Sequence, residues 1–258
     1  MRPATPLRAT LLAASFAFLA AGPLAAQQAA APAPKAWENT VTLYGWAAAM
    51  SGWTTVGPVS AAVDVSFGEI WDNLKMGGML NYQGRGDKWV AIADMIYMKL
   101  GSDVANPSTG NTLAEVTLKQ WLLEADGGYR VKPWLDVLVG LRIPIIEAEI
   151  TPDRDNPLIS AKSNSETWVA PIIGARAELP FGKKFTGIVR GDFGGFDIGG
   201  TNTTWQAAGY VNYRFGKGWS GTVGYRAISA DYLTGSGPDT FKYDITNFGP
   251  VFGVSYTF

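Results

Sequence analysis

The sequence predicts an all-β fold, a transmembrane antiparallel β-barrel of about ten strands, with eight or twelve as the alternatives. Three observations predict it. Hydrophobicity alternates with a period of two along most of the chain, and the second face of many strands carries Arg, Asp, Glu and Gln. The alternating runs mostly exceed the usual length of about five or six residues and are long enough for the roughly nine to eleven that a tilted bilayer crossing needs. Trp, Tyr and Phe recur near the ends of these runs on the apolar face, as at Trp89 and Tyr97, Trp121 and Tyr129, Trp205 and Tyr213, and Trp219 and Tyr225. Paired interfacial girdles require such placement.

Residues 1–26 stand apart from the barrel. Arg2 and Arg8 precede an apolar run, Ala9 to Ala21, and small residues follow up to Ala26. A basic head, an apolar segment of about a dozen residues and a small-residue end describe a secretory signal peptide. The segment is too short for a membrane-spanning helix. Residues 27–36 (QQAAAPAPKA) are rich in Ala and Pro and are expected to form a flexible leader. The barrel domain is then 37–258.

Parity organises the strands. With the C-terminus in the periplasm, spanning strands are expected at 241–258, 218–233, 201–215, 184–198, 166–180, 133–150, 112–130, 87–101, 75–85 and 37–50. An even count puts both ends on one side. Val59–Phe67 also alternates but would break parity, so it is expected as an outer hairpin extension or loop. Ser66–Leu74 gives the one helical signal. Phe67, Ile70, Trp71 and Leu74 share a face, and Ser66 with Glu69 fits a capping box. That face is expected to pack on the barrel mouth, with a lid or docking element as the alternative.

Short connections (Gly84–Lys88, Val131–Pro133, Pro180–Lys183, Gly216–Gly218) alternate with long polar ones (Ser102–Asn111, Thr151–Ser165, Leu233–Asp239). Short periplasmic turns and long outer loops are the outer-membrane pattern. The Gly199–Gly200 connection departs from it. Pro144, Pro171 and Pro250 fall inside strands, where each removes a ladder hydrogen bond. Their spacing from the periplasmic turns places them near the outer rim, where bulges absorb the loss.

Composition removes several functions. The chain has 21 basic and 22 acidic residues; without Arg2 and Arg8 the balance is 19 against 22, a net charge of −3. That is no footprint for nucleic acid. With no Cys there is no disulfide and no thiolate metal site. With no His, Ser-His triads, Asp-His proteolysis and His acyl transfer are excluded. The chain is therefore expected not to be an enzyme and to carry no cofactor or metal. Carboxylate chemistry would have to use Glu124 with Asp126, or Asp192 beside Arg190; the plainer reading is a polar lumen wall. Asp153, Asp155 and Asn156 lack the spacing of a calcium loop. Gly191, Gly194, Gly195, Gly199 and Gly200 lack the strand–loop–helix setting of a phosphate-binding loop.

The lumen-lining candidates are Arg142, Arg176, Arg190, Arg214 and Arg226, set against Asp94, Glu124, Asp126, Glu178 and Asp192. A barrel of about ten strands is narrow inside. Balanced charges there would cross-link opposite walls through Arg–carboxylate pairs. The expected function is a non-enzymatic, structural or narrow-lumen protein in contact with outer-membrane lipid and lipopolysaccharide. The alternatives are a porin-like channel for small solutes with an Arg-rich constriction, a carboxylate hydrolase, and a soluble periplasmic barrel for an apolar ligand.

The last residues, Val254-Ser255-Tyr256-Thr257-Phe258, alternate and end on Phe. They resemble the terminal signal of bacterial outer-membrane barrels, which implies the barrel assembly machinery as a partner. The chain as a whole resembles a poorly characterised family of proteobacterial outer-membrane β-barrel proteins. The resemblance is carried by Val63–Phe67 with Asp72-Asn73-Leu74, Trp89 through Asp94 to Tyr97, and Pro171–Arg176. Arg190-Gly191-Asp192, Thr204-Trp205-Gln206, Gly224-Tyr225-Arg226 and Gly249-Pro250 complete it. It implies this barrel type and no catalytic residues.

Overall fold

The computed structural model describes residues 37–105, 112–152 and 161–258. The segments expected as signal peptide (1–26) and leader (27–36), and Asp153, Asp155 and Asn156, lie outside them. The chain runs β1 (Glu38–Trp46), β2 (Ala49–Val56), β3 (Val59–Val65), α1 (Phe67–Asp72), β4 (Leu74–Arg85), β5 (Trp89–Ala105), β6 (Thr112–Lys132) and β7 (Leu135–Pro152). It continues β8 (Lys162–Thr167), β9 (Ala170–Phe181), β10 (Phe185–Ile198), β11 (Thr201–Arg214), β12 (Trp219–Thr234) and β13 (Phe241–Thr257).

Each strand pairs antiparallel with its neighbour, and β1 pairs with both β4 and β13, which closes the sheet. The staves are β1/β2, β4, β5, β6, β7, β8/β9, β10, β11, β12 and β13, the ten expected from parity. β3 pairs with β2 alone and forms the outer hairpin extension.

Two expected strands, 37–50 and 166–180, are each broken, and prolines on the neighbouring stave explain both breaks. Along β13 the register is unbroken from Trp46 opposite Val251 to Ala49 opposite Phe248, so Ala47 faces Pro250. The Ala47 N–H donates to the Pro250 carbonyl at 2.9 Å. Pro250 has no N–H to return, so the ladder lapses and β1 ends there. The same device separates β8 from β9: the Trp168 N–H donates to the Pro144 carbonyl at 3.3 Å. Pro171 stands just beyond the last β9–β10 pair, Ile172 with Gly194, where β10 turns irregular and Phe196 and Asp197 adopt φ of 54° and 58°. The expectation of prolines at the outer rim needs correcting for Pro144 and Pro250. Both strands continue well past them, to Pro152 and from Phe241.

What changes near those prolines is the polarity of the two faces. Below Pro144, β7 turns Val137, Val139 and Leu141 outward to the solvent-accessible surface and buries Asp136, Leu138 and Arg142. Above it, Glu147 and Glu149 point outward to Lys119 of β6 at 3.7 and 3.9 Å, while Ile146 packs inward. β13 inverts likewise. Phe252, Val254 and Tyr256 are exposed in its lower half. In its upper half Lys242 and Asp244 form an exposed pair, and Tyr243 and Ile245 are buried. The period of two persists through the inversion; only its phase reverses.

The lower region therefore carries an exposed apolar belt, edged by aromatic pairs: Trp89–Tyr129, Phe185–Tyr213 and Trp219–Tyr256 at one margin, Tyr97–Trp121 at the other. From Trp89 to Tyr97 the strand spans roughly 26 Å at about 3.3 Å per residue. A tilt of about 40° makes that roughly 20 Å of height, close to an apolar band of about 25 Å. The upper region has an ordinary apolar core of Trp168, Ala230, Tyr232, Tyr243 and Ile245, with Met50, Val63, Ile146 and Phe241 against it.

Helix α1 forms where expected. Glu69 N–H donates to Ser66 Oγ at 3.3 Å, and Ser66 N–H donates to Glu69 Oε2 at 2.8 Å. Its apolar face does not pack on the mouth as expected. Only Ile70 is buried; Trp71 is 63% exposed and Phe67 lies beside it at 5.9 Å. Six residues span too few turns to turn the whole stripe one way. The short Gly199–Gly200 link is a tight hairpin turn, with φ of 61° and 84° that favour glycine at both positions.

Candidate functional site

The inward side chains of the belt region meet across the lumen. Arg142 on β7 is 1% exposed. It donates from Nε to Glu124 on β6 at 2.8 Å, from Nη1 to Thr204 on β11 at 2.9 Å, and from Nη2 to Asp192 on β10 at 2.8 Å. Arg190 on β10 reaches back to Glu124 at 2.6 Å and Asp126 at 3.0 Å on β6. Arg226 on β12 crosses to Asp94 on β5 at 2.7 Å, holds Gln206 on β11 at 2.7 Å, and lies 5.5 Å from the ring centroid of Trp46. Tyr44 on β1 donates to Asp94 at 2.9 Å, and Gln206 donates to Asp192 at 2.8 Å. Arginine suits this role because its planar fork serves several acceptors at once. Here the fork joins strands three and four staves apart, and the upper apolar core lies above.

A second cluster lies toward the end where β1 begins and β13 finishes. Arg85 on β4 bonds Glu178 on β9 and, at 2.9 Å, Asp136 on β7. Arg176 bonds Glu178 at 2.5 Å, and Arg130 lies 3.4 Å from Asp136.

Beneath the seal the lumen opens into a polar vestibule. Two cavities of about 130 and 390 Å³ share Thr40, Gln83, Arg176, Ile188, Asn212 and Ser255. The outer one reaches Glu38, Lys184, Arg214 and Thr257 at the terminal end. Hydroxyl pairs line the vestibule: Thr40 with Thr257 and Thr42 with Ser255, each at 2.9 Å. The basic residues facing the two cavities are Arg85, Arg176, Lys184, Arg190, Arg214 and Arg226; the acids are Glu38, Asp94 and Glu178. Glu124, Asp126, Asp136 and Asp192 face neither cavity and stand behind the arginines.

Of the residues singled out from sequence, Glu124, Asp126, Arg142, Arg176, Arg190, Asp192 and Arg226 are buried in the two clusters. Arg214 is not among them; it is exposed at the vestibule mouth. Glu124 and Asp126, the pair considered for acid–base chemistry, are both held by Arg190, and Glu124 by Arg142 as well. Sequence reasoning missed Asp136, Arg85, Tyr44, Thr204 and Gln206. Asp136, Thr204 and Gln206 share the polar parity of Arg142 and Arg214 and were available to it; the uncharged ones carried no ionic signal.

No protein-family model and no curated protein matches the chain. Among solved structures it is similar to Ail, the attachment invasion locus protein of Yersinia pestis, with 12% identity over 86% of this chain and 98% of that one, TM-score 0.40. It is similar to the translocator domain of the autotransporter NalP from Neisseria meningitidis, with 15% identity over 86% and 89%, TM-score 0.40. A major outer membrane protein from Thermus thermophilus aligns with 15% identity over 85% and 99%, TM-score 0.37. Likenesses this distant say nothing about activity.

Proposed function

We propose that this chain is exported to the outer membrane and stands there as a non-enzymatic barrel whose lumen is closed, leaving a blind polar vestibule toward the periplasm. The belt between the aromatic girdles faces lipid, because exposed Val139, Val189, Val223 and Phe252 have no other apolar medium to enter. The upper region, with Lys119, Glu147, Glu149 and Lys242 outward, stands above the bilayer among lipopolysaccharide headgroups and water. The terminal Phe258 strand serves the barrel assembly machinery.

The seal supports the closed lumen most directly. Arg142 is 1% exposed with acceptors from three different staves, and water does not reach it. A porin constriction presents its arginines to the permeating solute; here each guanidinium nitrogen of the central arginine is bonded to the protein. The test uses purified protein in planar bilayers, after gel migration has been shown to change on boiling. Absence of conductance steps is expected. Stable discrete openings would overturn the closed reading in favour of a small-solute channel, and identical migration of boiled and unboiled samples would overturn the membrane barrel itself.

A further inference from the structure

We infer that the vestibule is a binding site for a phosphate group, free or carried on a small soluble ester, entering from the terminal end. The inference rests on the closed-lumen reading, which makes the vestibule a pocket with a floor instead of a passage. Its lining carries an excess of positive charge for a structural reason. The lumen as a whole is balanced, but four of its carboxylates stand behind the arginines, so the surface turned to the cavity is basic. A narrow cleft with such an excess focuses the field and concentrates counter-ions.

Arg176 is the residue that points to a ligand. It is 8% exposed, lines both cavities, and spends Nη2 on Glu178 at 2.5 Å. Its Nη1 is buried without a hydrogen-bond acceptor, and Asp136 lies 3.8 Å from it. Arg85 Nε is likewise buried and unpartnered. Guanidinium groups with incomplete hydrogen bonding beside a polar cavity call for an acceptor. A tetrahedral oxyanion offers several oxygens to such a fork. Around it Asn212, Gln83 and the Thr40 and Ser255 hydroxyls supply neutral partners for the rest of a small polar ester.

The experiment is calorimetric titration of the folded, detergent-solubilised full chain with inorganic phosphate and with glycerol 3-phosphate, chloride holding ionic strength constant. Saturable one-to-one heats are expected from at least one, and the tighter of the two tells free anion from ester. Arg176→Lys keeps the charge but loses the fork, and should weaken binding roughly tenfold. The chain has no Cys, so Arg214→Cys carrying a bulky maleimide should abolish binding by blocking the mouth. The same label on Ser60→Cys, on β3 at the opposite end, should leave it unchanged. Heats of dilution alone from both anions, wild-type affinity in Arg176→Lys, or binding untouched by the Arg214→Cys label would each overturn the inference. Should Arg176→Lys fail to fold, the two cysteine labels decide. Folded migration without phosphate binding defeats this inference only; loss of heat-modifiable migration defeats the barrel reading beneath it.

Discussion

Arg142 on β7 and Asp192 on β10 meet at 2.8 Å across the lumen, each side chain 1% exposed to solvent. Neither can be removed alone without stranding a charge. Arg142→Leu leaves Glu124 and Asp192 short of a buried partner and should cost about 3–5 kcal/mol. The triple change Glu124→Leu, Arg142→Leu and Asp192→Leu removes the ions together and should recover most of that loss. The urea midpoint of the heat-modifiable band checks both. A midpoint for Arg142→Leu equal to the wild type would mean the seal contributes nothing to stability.

Trp168 tests the upper core. It stacks on Tyr232 with centroids 4.3 Å apart and planes within 7°, and its Nε1 is buried without a partner. The ring matters and its N–H does not. Trp168→Ala should destabilise by about 3–5 kcal/mol, while Trp168→Phe, which keeps a ring to stack on Tyr232, should cost clearly less. Equal losses in both, measured by chemical denaturation, would show that the indole edge has a role the geometry does not reveal.

Gly249 sits where the chain closes on itself. A Cβ there would lie 2.1 Å from the Ala47 carbonyl oxygen. The obstacle is backbone, so no rotamer relieves it. Gly249→Ala should destabilise by about 1–3 kcal/mol or more and lower the yield of folded barrel in a refolding assay. Wild-type yield would mean the β1/β2 break is loose enough to absorb a methyl group.

The cap of α1 makes local order depend on pH. Hydrogen bonds from the Ser66 side chain and backbone N–H hold the Glu69 carboxyl below the ordinary carboxylate range. A folded value below the unfolded one gives stabilisation that is full above the unfolded value, about 4.3, and is lost as pH falls through the folded one. The protection factor of the Ile70 amide, its exchange rate relative to the intrinsic rate at each pH, should therefore fall only below that ordinary value, and Glu69→Gln should remove that dependence. A protection factor that is flat with pH in the wild type would mean the capping box does not hold in solution.

How much of this was legible in the sequence depends on what each feature answers to. The period of two sufficed for Arg142, Asp192 and Glu124, because parity alone decides which face a strand residue takes. Parity also separated the hairpin extension, Val59–Val65, from the spanning strands. The cross-lumen partners were not legible. Arg226 and Asp94 lie 132 positions apart, and their meeting depends on stagger around the closed sheet, which leaves no local mark. The breaks at Ala47 and Trp168 were hidden for a related reason: the prolines that cause them are on the adjacent stave. The expected ends at 101 and 150 carried β5 and β7 past the polarity reversal above Tyr97 and Ile145 and stopped short of Ala105 and Pro152. The α1 stripe misled because a capping box and a spaced apolar face describe a helix, not the surface it will meet.

The reversal of polarity has a consequence for where the molecule can sit. Sliding the barrel a few residues outward would strip hydrocarbon from Val139 and Val211; sliding it inward would drag Lys119 and Glu147 into oil. Either displacement is uphill, by roughly 2–4 kcal/mol for each cation taken toward the midplane. In the bilayer proposed above, the chain would thus carry a depth gauge written in its alternation.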